Sequence, residues 1–252
     1  AALSYCWGSK QTRLPTTNGN LRHHLHGIPW DEFPPLFQDV ISVCFDLNIR
    51  YLWIDALCIL QDDTQDWEIE SVKMADIYSN SYLTIAATAQ PDSTCSLFTD
   101  RWTKMHASCA QPQLWIGYDH FKTEYYHSLN VGAPLLRRAW AYQERLLAPR
   151  ILQVHAEELY WECKAGIRCE CGVLDCSTPR SVSTVDGIRL KGLLARVNEP
   201  SVSLATLLLG WTDIVCGYTK LSLSHESGRL AALLGIANKF QNPRMGRYFA
   251  GM

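Results

Sequence analysis

The most informative stretch of the sequence reads YLWIDALCIL at residues 51–60, QDDTQDW at 61–67, EIESVKMADIYSNS at 68–81 and YLTIAAT at 82–88. The first ten residues are almost all apolar, which predicts a strand buried on both faces. Acidic residues then cluster where a helix would begin, since a helix N-terminus favours negative charge. The last seven residues are again typical of a strand. Strand, helix and strand in this order predict a parallel α/β unit.

Polar residues stand at the end of the first predicted strand. In open α/β sheets, ligands bind beyond the carboxyl ends of the strands, so we expect Asp55, Cys58 and Gln61 to point to a ligand-binding cleft. A carboxylate in a buried strand is costly unless it is paired. A structural Asp55 that accepts neighbouring backbone N–H groups is therefore an equally good interpretation. No histidine lies near Cys58 in the sequence, which favours an inert buried thiol over a nucleophile.

The composition is that of a globular chain: 252 residues, 47% of them hydrophobic, with a net charge of −2. No basic patch favours nucleic acid or a membrane surface, and no apolar stretch reaches the ~18 residues that span a bilayer. Several of the ten cysteines lie within predicted strands and helices. This placement favours reduced, mostly buried thiols in a cytoplasmic protein. The chain begins and ends abruptly, and we expect it to be a domain cut from a longer protein.

Periodicity and turn residues predict further elements on both sides of the central unit. We expect strands at 3–7, 114–118, 150–155 and 159–163, helices at 36–47, 135–147, 202–218 and 229–240, a loop at 9–30, and a Cys- and Gly-rich excursion at 164–187.

The second informative stretch is LLRRAWAYQERLL at 135–147. Glu144 follows Trp140 by four residues and therefore lies one helical turn further along the same side. A carboxylate that is partly desolvated beside an indole could bind a ribose hydroxyl or stabilise an oxocarbenium ion, as glycosidic cleavage requires. The alternative is a surface glutamate paired with Arg145 or Arg137, and spacing alone favours this alternative.

Four cysteines lie within fourteen residues of one another: Cys163, Cys169, Cys171 and Cys176. Their spacing, C-x5-C-x-C-x4-C, differs from the paired knuckles of most zinc sites, so they are weak metal candidates and a loop of reduced cysteines is favoured. The three histidines at 23, 24 and 26 have no acidic or cysteine partner nearby, and we expect no metal there.

Longer motifs resemble the fungal heterokaryon incompatibility (HET) domain. They are ALSYCWG at 2–8, YLWIDALCILQDDTQDW at 51–67, MADIYSNSYLTIAA at 74–87 and RRAWAYQERLLAPRIL at 137–152, with WEC at 161–163 and GRLAALLGIANKF at 228–240. The resemblance implies a fungal, cytoplasmic protein of self/non-self recognition whose activation kills fused or incompatible cells. Such domains sit in larger proteins with sensor or repeat regions, which would be its partners together with further copies of itself.

The resemblance also implies a fold similar to that of the Toll/interleukin receptor (TIR) domain. The resemblance therefore implies an α/β, flavodoxin-like fold: a mainly parallel sheet flanked by helices, with β-rich and helical additions in the C-terminal half. We expect residues 1–252 to form one HET domain. Its TIR-like core would span 1–155, and a family-specific extension, 156–252, would hold the Cys-rich excursion (163–187) and the C-terminal helices.

Several TIR domains are NAD⁺ glycohydrolases that use one glutamate, four residues after a tryptophan. By this resemblance Glu144 would be catalytic, and NAD⁺ would lie near Tyr5, Trp7, Asp55 and Trp140 as a substrate, with no further cofactor. Self-association would complete the site. The alternative is a non-enzymatic signalling module that oligomerises and recruits partners, with the same residues in structural roles.

Overall fold

The computed structural model describes residues 1–8, 14–98, 132–156, 158–170, 186–223, 228–246 and 248. Their strands form one open sheet in the order β1 (Ala2–Ser4), β2 (Thr84–Ala86), β3 (Arg150–Val154), β4 (Leu159–Cys163) and β5 (Gly166–Cys169). The first three strands are parallel, and β4 and β5 continue the sheet antiparallel. The predicted mixed α/β class is therefore confirmed.

Eight α-helices accompany the sheet within these ranges: α1 (Leu21–His26), α2 (Pro35–Asp46), α3 (Asp55–Cys58), α4 (Thr64–Asn80), α5 (Ala139–Leu147), α6 (Asp186–Ala195), α7 (Leu204–Thr219) and α8 (Arg229–Phe240). Short 3₁₀ helices span Trp30–Glu32, Pro134–Arg137 and Pro243–Met245. No described helix is both long and apolar enough to cross a membrane.

Helix α4 confirms the prediction for the centre of the chain. Asp63 is its N-cap, and the Asp63 carboxylate accepts the backbone N–H groups of Gln65 and Asp66, as expected of an acidic residue at a helix start. Met74 and Tyr78 lie on the buried face of the helix. The helix carries the chain over to β2, which runs parallel to β1.

The predicted strand at 51–60 is wrong. Only Trp53 makes a strand-like bridge, to Ala2, and the chain then turns into α3, where the backbone N–H of Ile59 donates to the Asp55 carbonyl. Ile54 and Ile59 are buried as predicted. Burial was therefore inferred correctly, but a short apolar run does not distinguish a strand from a single helical turn.

Other elements differ from the predictions in smaller ways. Helix α1 lies within the predicted loop, and β5 lies within the predicted excursion. Helix α5 begins at Ala139, later than predicted, because a 3₁₀ helix precedes it. Helix α6 was missed altogether. The predicted strand at 114–118 lies outside the described residues.

Two apolar cores flank the sheet. One joins β1 and β2 to α2 through residues such as Leu3, Leu36 and Ile85. The other joins α5 to α6, α7 and α8, with Leu146 and Phe240 among its buried members. Helix α5 therefore lies between the sheet and the C-terminal helices. The sheet is continuous across residue 155, and the division into a TIR-like core and an extension stays a prediction.

The seven described cysteines are free thiols, but only Cys6 and Cys44 are buried. The expectation of mostly buried thiols is wrong for this part of the chain. Cys58 is exposed on α3 because a one-turn helix turns one of its sides to solvent.

Candidate functional site

A cavity of about 490 Å³ opens beyond the carboxyl end of β1. Its wall comes from several segments of the chain: Tyr5 and Trp7 after β1, Asp55 in α3, Trp67 and Tyr78 in α4, Arg138, Trp140 and Glu144 at α5, and Gly228 before α8. The structure thus brings together all five residues for which the family resemblance implies catalysis or NAD⁺ binding: Tyr5, Trp7, Asp55, Trp140 and Glu144. The volume is within the range of roughly 300–1,000 Å³ that is usual for ligand pockets.

Glu144 is the most deeply placed acid of the cavity, with 6% of its surface exposed. Burial raises its pKa to about 7, and the charge of Asp55 adds to this effect. Hydrogen bonding with the Ser4 and Tyr78 side chains and the charge of Arg138 oppose it. The surface-glutamate alternative is wrong, since Glu144 is buried. A carboxyl with this pKa can change its protonation state near neutral pH.

Asp55 lines the same cavity, but its carboxylate already has partners within the protein. Oδ2 accepts the indole N–H of Trp7, and Oδ1 accepts the backbone N–H of Ala56 at 2.7 Å. Burial raises the pKa of Asp55, and these hydrogen bonds oppose the rise. This is the arrangement expected of a structural carboxylate, and it also fixes the Trp7 ring at the cavity wall.

Aromatic rings make up much of the remaining wall. Trp140 is half-buried and meets Trp67 edge to face, with the ring centroids 6.5 Å apart. Tyr5 is buried, and its ring packs edge to face on Phe37 with centroids 5.3 Å apart. Three tryptophans around one cavity offer flat apolar surfaces to a planar ring.

Sequence reasoning did not predict Trp67, Tyr78 or Arg138 as residues of the site. Tyr78 lies on the buried face of α4, yet its hydroxyl donates to the Leu3 carbonyl at 2.8 Å and interacts with the Glu144 carboxylate. Arg138 precedes α5, and its Nη1 donates to the Tyr5 carbonyl at 2.9 Å. No motif would have found Arg138, since nothing in a pair of adjacent arginines shows which of them faces a cavity.

The cleft predicted at 55–61 is confirmed only in part. Gln61 lines the cavity, and its Nε2 donates to the Asp55 carbonyl at 3.1 Å. Cys58 is not among the described lining residues, because it lies on the exposed side of α3.

The metal candidates do not come together in the described ranges, which contain no group of three or more His, Cys, Asp or Glu side chains able to hold an ion. Cys163 pairs with Gly166, whereas Cys169 pairs with Tyr160 at the other end of the β4–β5 ladder. Three residue steps along a strand amount to about 10 Å, too far for two ligands of one zinc ion at about 2.3 Å. Cys171 and Cys176 lie outside the described residues.

A second polar cluster lies behind α5, around the fully buried side chain of Glu162. The Glu162 carboxylate in β4 accepts Arg145 Nε at 2.8 Å and Gln153 Nε2 at 2.9 Å. Lys191 Nζ of α6 lies 3.3 Å from its other oxygen. Burial alone would raise the pKa of Glu162, but the two cations outweigh it and hold this pKa below its ordinary value. The cluster ties α5 and α6 to the sheet.

The fold and the cavity thus define a mixed α/β protein with two carboxylates and three tryptophans around one ligand-sized site. Residues 1–144 match the sequence profile of the family described as Heterokaryon incompatibility protein (HET). This segment covers more than half of the chain and includes all five of the predicted site residues. The chain therefore belongs to the heterokaryon incompatibility family, which gives it a function in incompatibility and cell death. No curated protein and no solved structure matches the chain.

Proposed function

We propose that this protein brings about cell death by hydrolysing NAD⁺ to nicotinamide and ADP-ribose, with Glu144 as the catalytic residue. The single observation that carries the proposal is the placement of Glu144: a buried carboxylate in the wall of a ligand-sized cavity, one helical turn from Trp140. The likeness to TIR domains, in fold and in mechanism, is part of this proposal. So are the fungal, cytoplasmic setting and the self-association that would complete the site.

The chemistry that this arrangement suits is dissociative glycosidic cleavage. The bond between the nicotinamide nitrogen and the ribose C1′ breaks, and its electron pair returns to the pyridine ring. Positive charge then develops on the ribose, and an ionised Glu144 would stabilise this charge and hold a ribose hydroxyl. Water adds to C1′ and releases a proton, which gives ADP-ribose.

The aromatic wall has a matching role. The nicotinamide ring of NAD⁺ carries a positive charge, and tryptophan faces attract flat cations. Trp140 would stack on this ring beside Glu144. Trp7, which Asp55 holds in place, and Tyr5 would border the ribose.

The test is NAD⁺ consumption by the purified protein at high concentration and in an artificially clustered form, with the products separated by chromatography. Nicotinamide release by wild type and its loss in Glu144→Gln, which keeps the size of the side chain, would support the proposal. Glu158→Gln is a matched control, since Glu158 is buried but is not among the described lining residues.

The competing function is a non-enzymatic module that kills through recruited partners. Absence of turnover in the clustered wild type, together with cell killing by a folded Glu144→Gln protein, would reject hydrolysis in favour of that module.

A further inference from the structure

We propose that Arg138 binds the diphosphate group of the substrate and so makes the cavity selective for dinucleotides over nucleosides. This inference deepens the proposed function, because it assigns a substrate class to the same cavity. It is carried by the position and charge of a residue that no sequence motif singled out.

The geometry places a fixed cation at the cavity wall. Arg138 stands immediately before α5 and lines the cavity. Its Nη1 donates to the Tyr5 carbonyl at 2.9 Å, and the guanidinium is half-buried. The hydrogen bond to Tyr5 orients the guanidinium toward the segment after β1. An arginine held in this way loses little further freedom when it binds an anion.

Arg138 is the only Lys, Arg or His among the described lining residues. The same wall carries two carboxyl groups, Asp55 and Glu144. The two carboxylates would repel a ligand that is negatively charged along its whole length. Arg138 would likewise repel a ligand that is positively charged along its whole length. NAD⁺ is complementary to both sides, because its pyridinium ring is positive and its diphosphate is negative. Arginine is well suited to the diphosphate, since its planar fork can make paired hydrogen bonds to phosphate oxygens.

Arg138 could instead serve only as a counter-ion for the two carboxyl groups and as an anchor for the Tyr5 segment. The two roles differ in what they predict for ligands. Loss of a purely structural arginine would lower the affinity of the cavity for every ligand to a similar extent. Loss of a diphosphate-binding arginine would lower the affinity only for ligands that carry phosphate.

The experiment measures the binding of two probes, ADP-ribose and nicotinamide riboside, to the 252-residue chain and to its Arg138→Met and Arg138→Lys variants by titration calorimetry. We expect Arg138→Met to lose roughly 10- to 100-fold in affinity for ADP-ribose, the value of hydrogen bonds to a charged group. The affinity for nicotinamide riboside should change by less than about threefold, and Arg138→Lys should keep part of the ADP-ribose affinity because it keeps the charge.

An equal loss for both probes, an unchanged affinity for ADP-ribose, or no binding of ADP-ribose by wild type would overturn the inference. If Arg138→Met does not fold, Arg138→Lys decides. Its affinity for ADP-ribose should be lower than that of wild type and its affinity for nicotinamide riboside should be unchanged, because lysine keeps the charge but lacks the planar fork that pairs with phosphate oxygens.

Binding and turnover separate this inference from the proposed function. Turnover of NAD⁺ is measured at about pH 9, where Glu144 is ionised even after loss of the nearby Arg138 charge has raised its pKa. Selective ADP-ribose binding without NAD⁺ cleavage would reject hydrolysis and keep the role of Arg138. Cleavage of NAD⁺ with an unaltered KM in Arg138→Met would keep hydrolysis and reject the role of Arg138.

Discussion

Burial of Glu144 costs folding free energy when its carboxylate is ionised, and the rest of the protein must offset this cost. Its pKa is about 7 in the folded protein, against 4.5 for an ordinary glutamate, and burial is the main cause. The folded state therefore binds a proton at this site more tightly than the unfolded state does. The stabilisation from this proton is complete below pH 4.5 and is lost as the pH rises through about 7.

Glu144→Gln should therefore stabilise the protein above pH 7. The amide keeps the size of the side chain and is never charged, so it avoids the cost of an ionised buried carboxylate. At about 1.4 kcal/mol per pH unit the gain is at most about 3.5 kcal/mol, and we expect roughly 1–3 kcal/mol at pH 8 and little difference near pH 5. Urea denaturation of both proteins at the two pH values measures it. A variant that is less stable than wild type at pH 8 would contradict the prediction.

The pH profile of NAD⁺ cleavage is a second prediction at the residue scale. Because the ionised form of Glu144 would be the active one, kcat/KM should rise with pH, with a midpoint near the pKa of about 7. The charge of Asp55 contributes to this raised pKa, so Asp55→Asn should move the midpoint to lower pH. Asp76→Asn is the matched control, since Asp76 is exposed on α4 and pairs with Lys239. A midpoint that Asp55→Asn leaves in place would show that the observed titration belongs to another group.

At the scale of elements, α5 is positioned from behind by the buried Glu162 cluster. Glu162→Gln removes the carboxylate that Arg145 and Lys191 share, and the loss of this partner is costly for a cation as buried as Lys191. We expect a loss of about 3–5 kcal/mol in the free energy of unfolding, measured by chemical denaturation. Glu199→Gln, which removes an exposed partner of Arg196, should leave stability unchanged within error. A similar small effect at both sites would show that the cluster contributes little.

Helix α8 approaches α4 and α5 closely at Gly235. A Cβ at this position would lie 2.5 Å from Gln143 Oε1 and 2.8 Å from the Ala75 Cβ, so Gly235→Ala must push the helices apart. We expect a net loss of about 1–2 kcal/mol, because overpacking outweighs the better helix propensity of alanine. Gly192→Ala in α6 is the matched control, since a Cβ there meets nothing within 4 Å, and it should stabilise by up to about 1 kcal/mol. Equal effects at the two glycines would contradict the close approach.

Across the protein as a whole, the periodic spacing of apolar residues predicts the long helices and much of the candidate site. Helical periodicity accounts for the buried face of α4 and for the one-turn spacing of Trp140 and Glu144. Asp63 stands at the start of α4, where an acidic N-cap is favoured. The strand prediction for residues 51–60 was wrong because a one-turn helix and a buried strand can share the same short run of apolar residues. Arg138 and Tyr78 were missed for another reason. Which polar atoms face a cavity depends on contacts between distant segments, and no local pattern records them.

The family-matched segment, 1–144, should not fold without the strands and helices C-terminal to it. Residues 1–155, the predicted core, lack β4 as the partner of β3 and lack the helices that cover Leu146 on α5. We expect this shorter chain to show no cooperative thermal transition by circular dichroism, whereas the 252-residue chain shows one. A cooperative melt of residues 1–155 would establish the predicted core as an autonomous domain.

The cavity wall draws on Tyr5 near one end of the chain and on α5, which packs on α8 near the other. During translation the ribosome completes most of the site residues long before it makes α8, which covers the back of α5. A growing chain therefore contains most of the site residues before α5 has the packing partner that holds the cavity wall in place. Under the proposed function, we therefore expect no NAD⁺ cleavage by a chain whose synthesis has not yet passed residue 240.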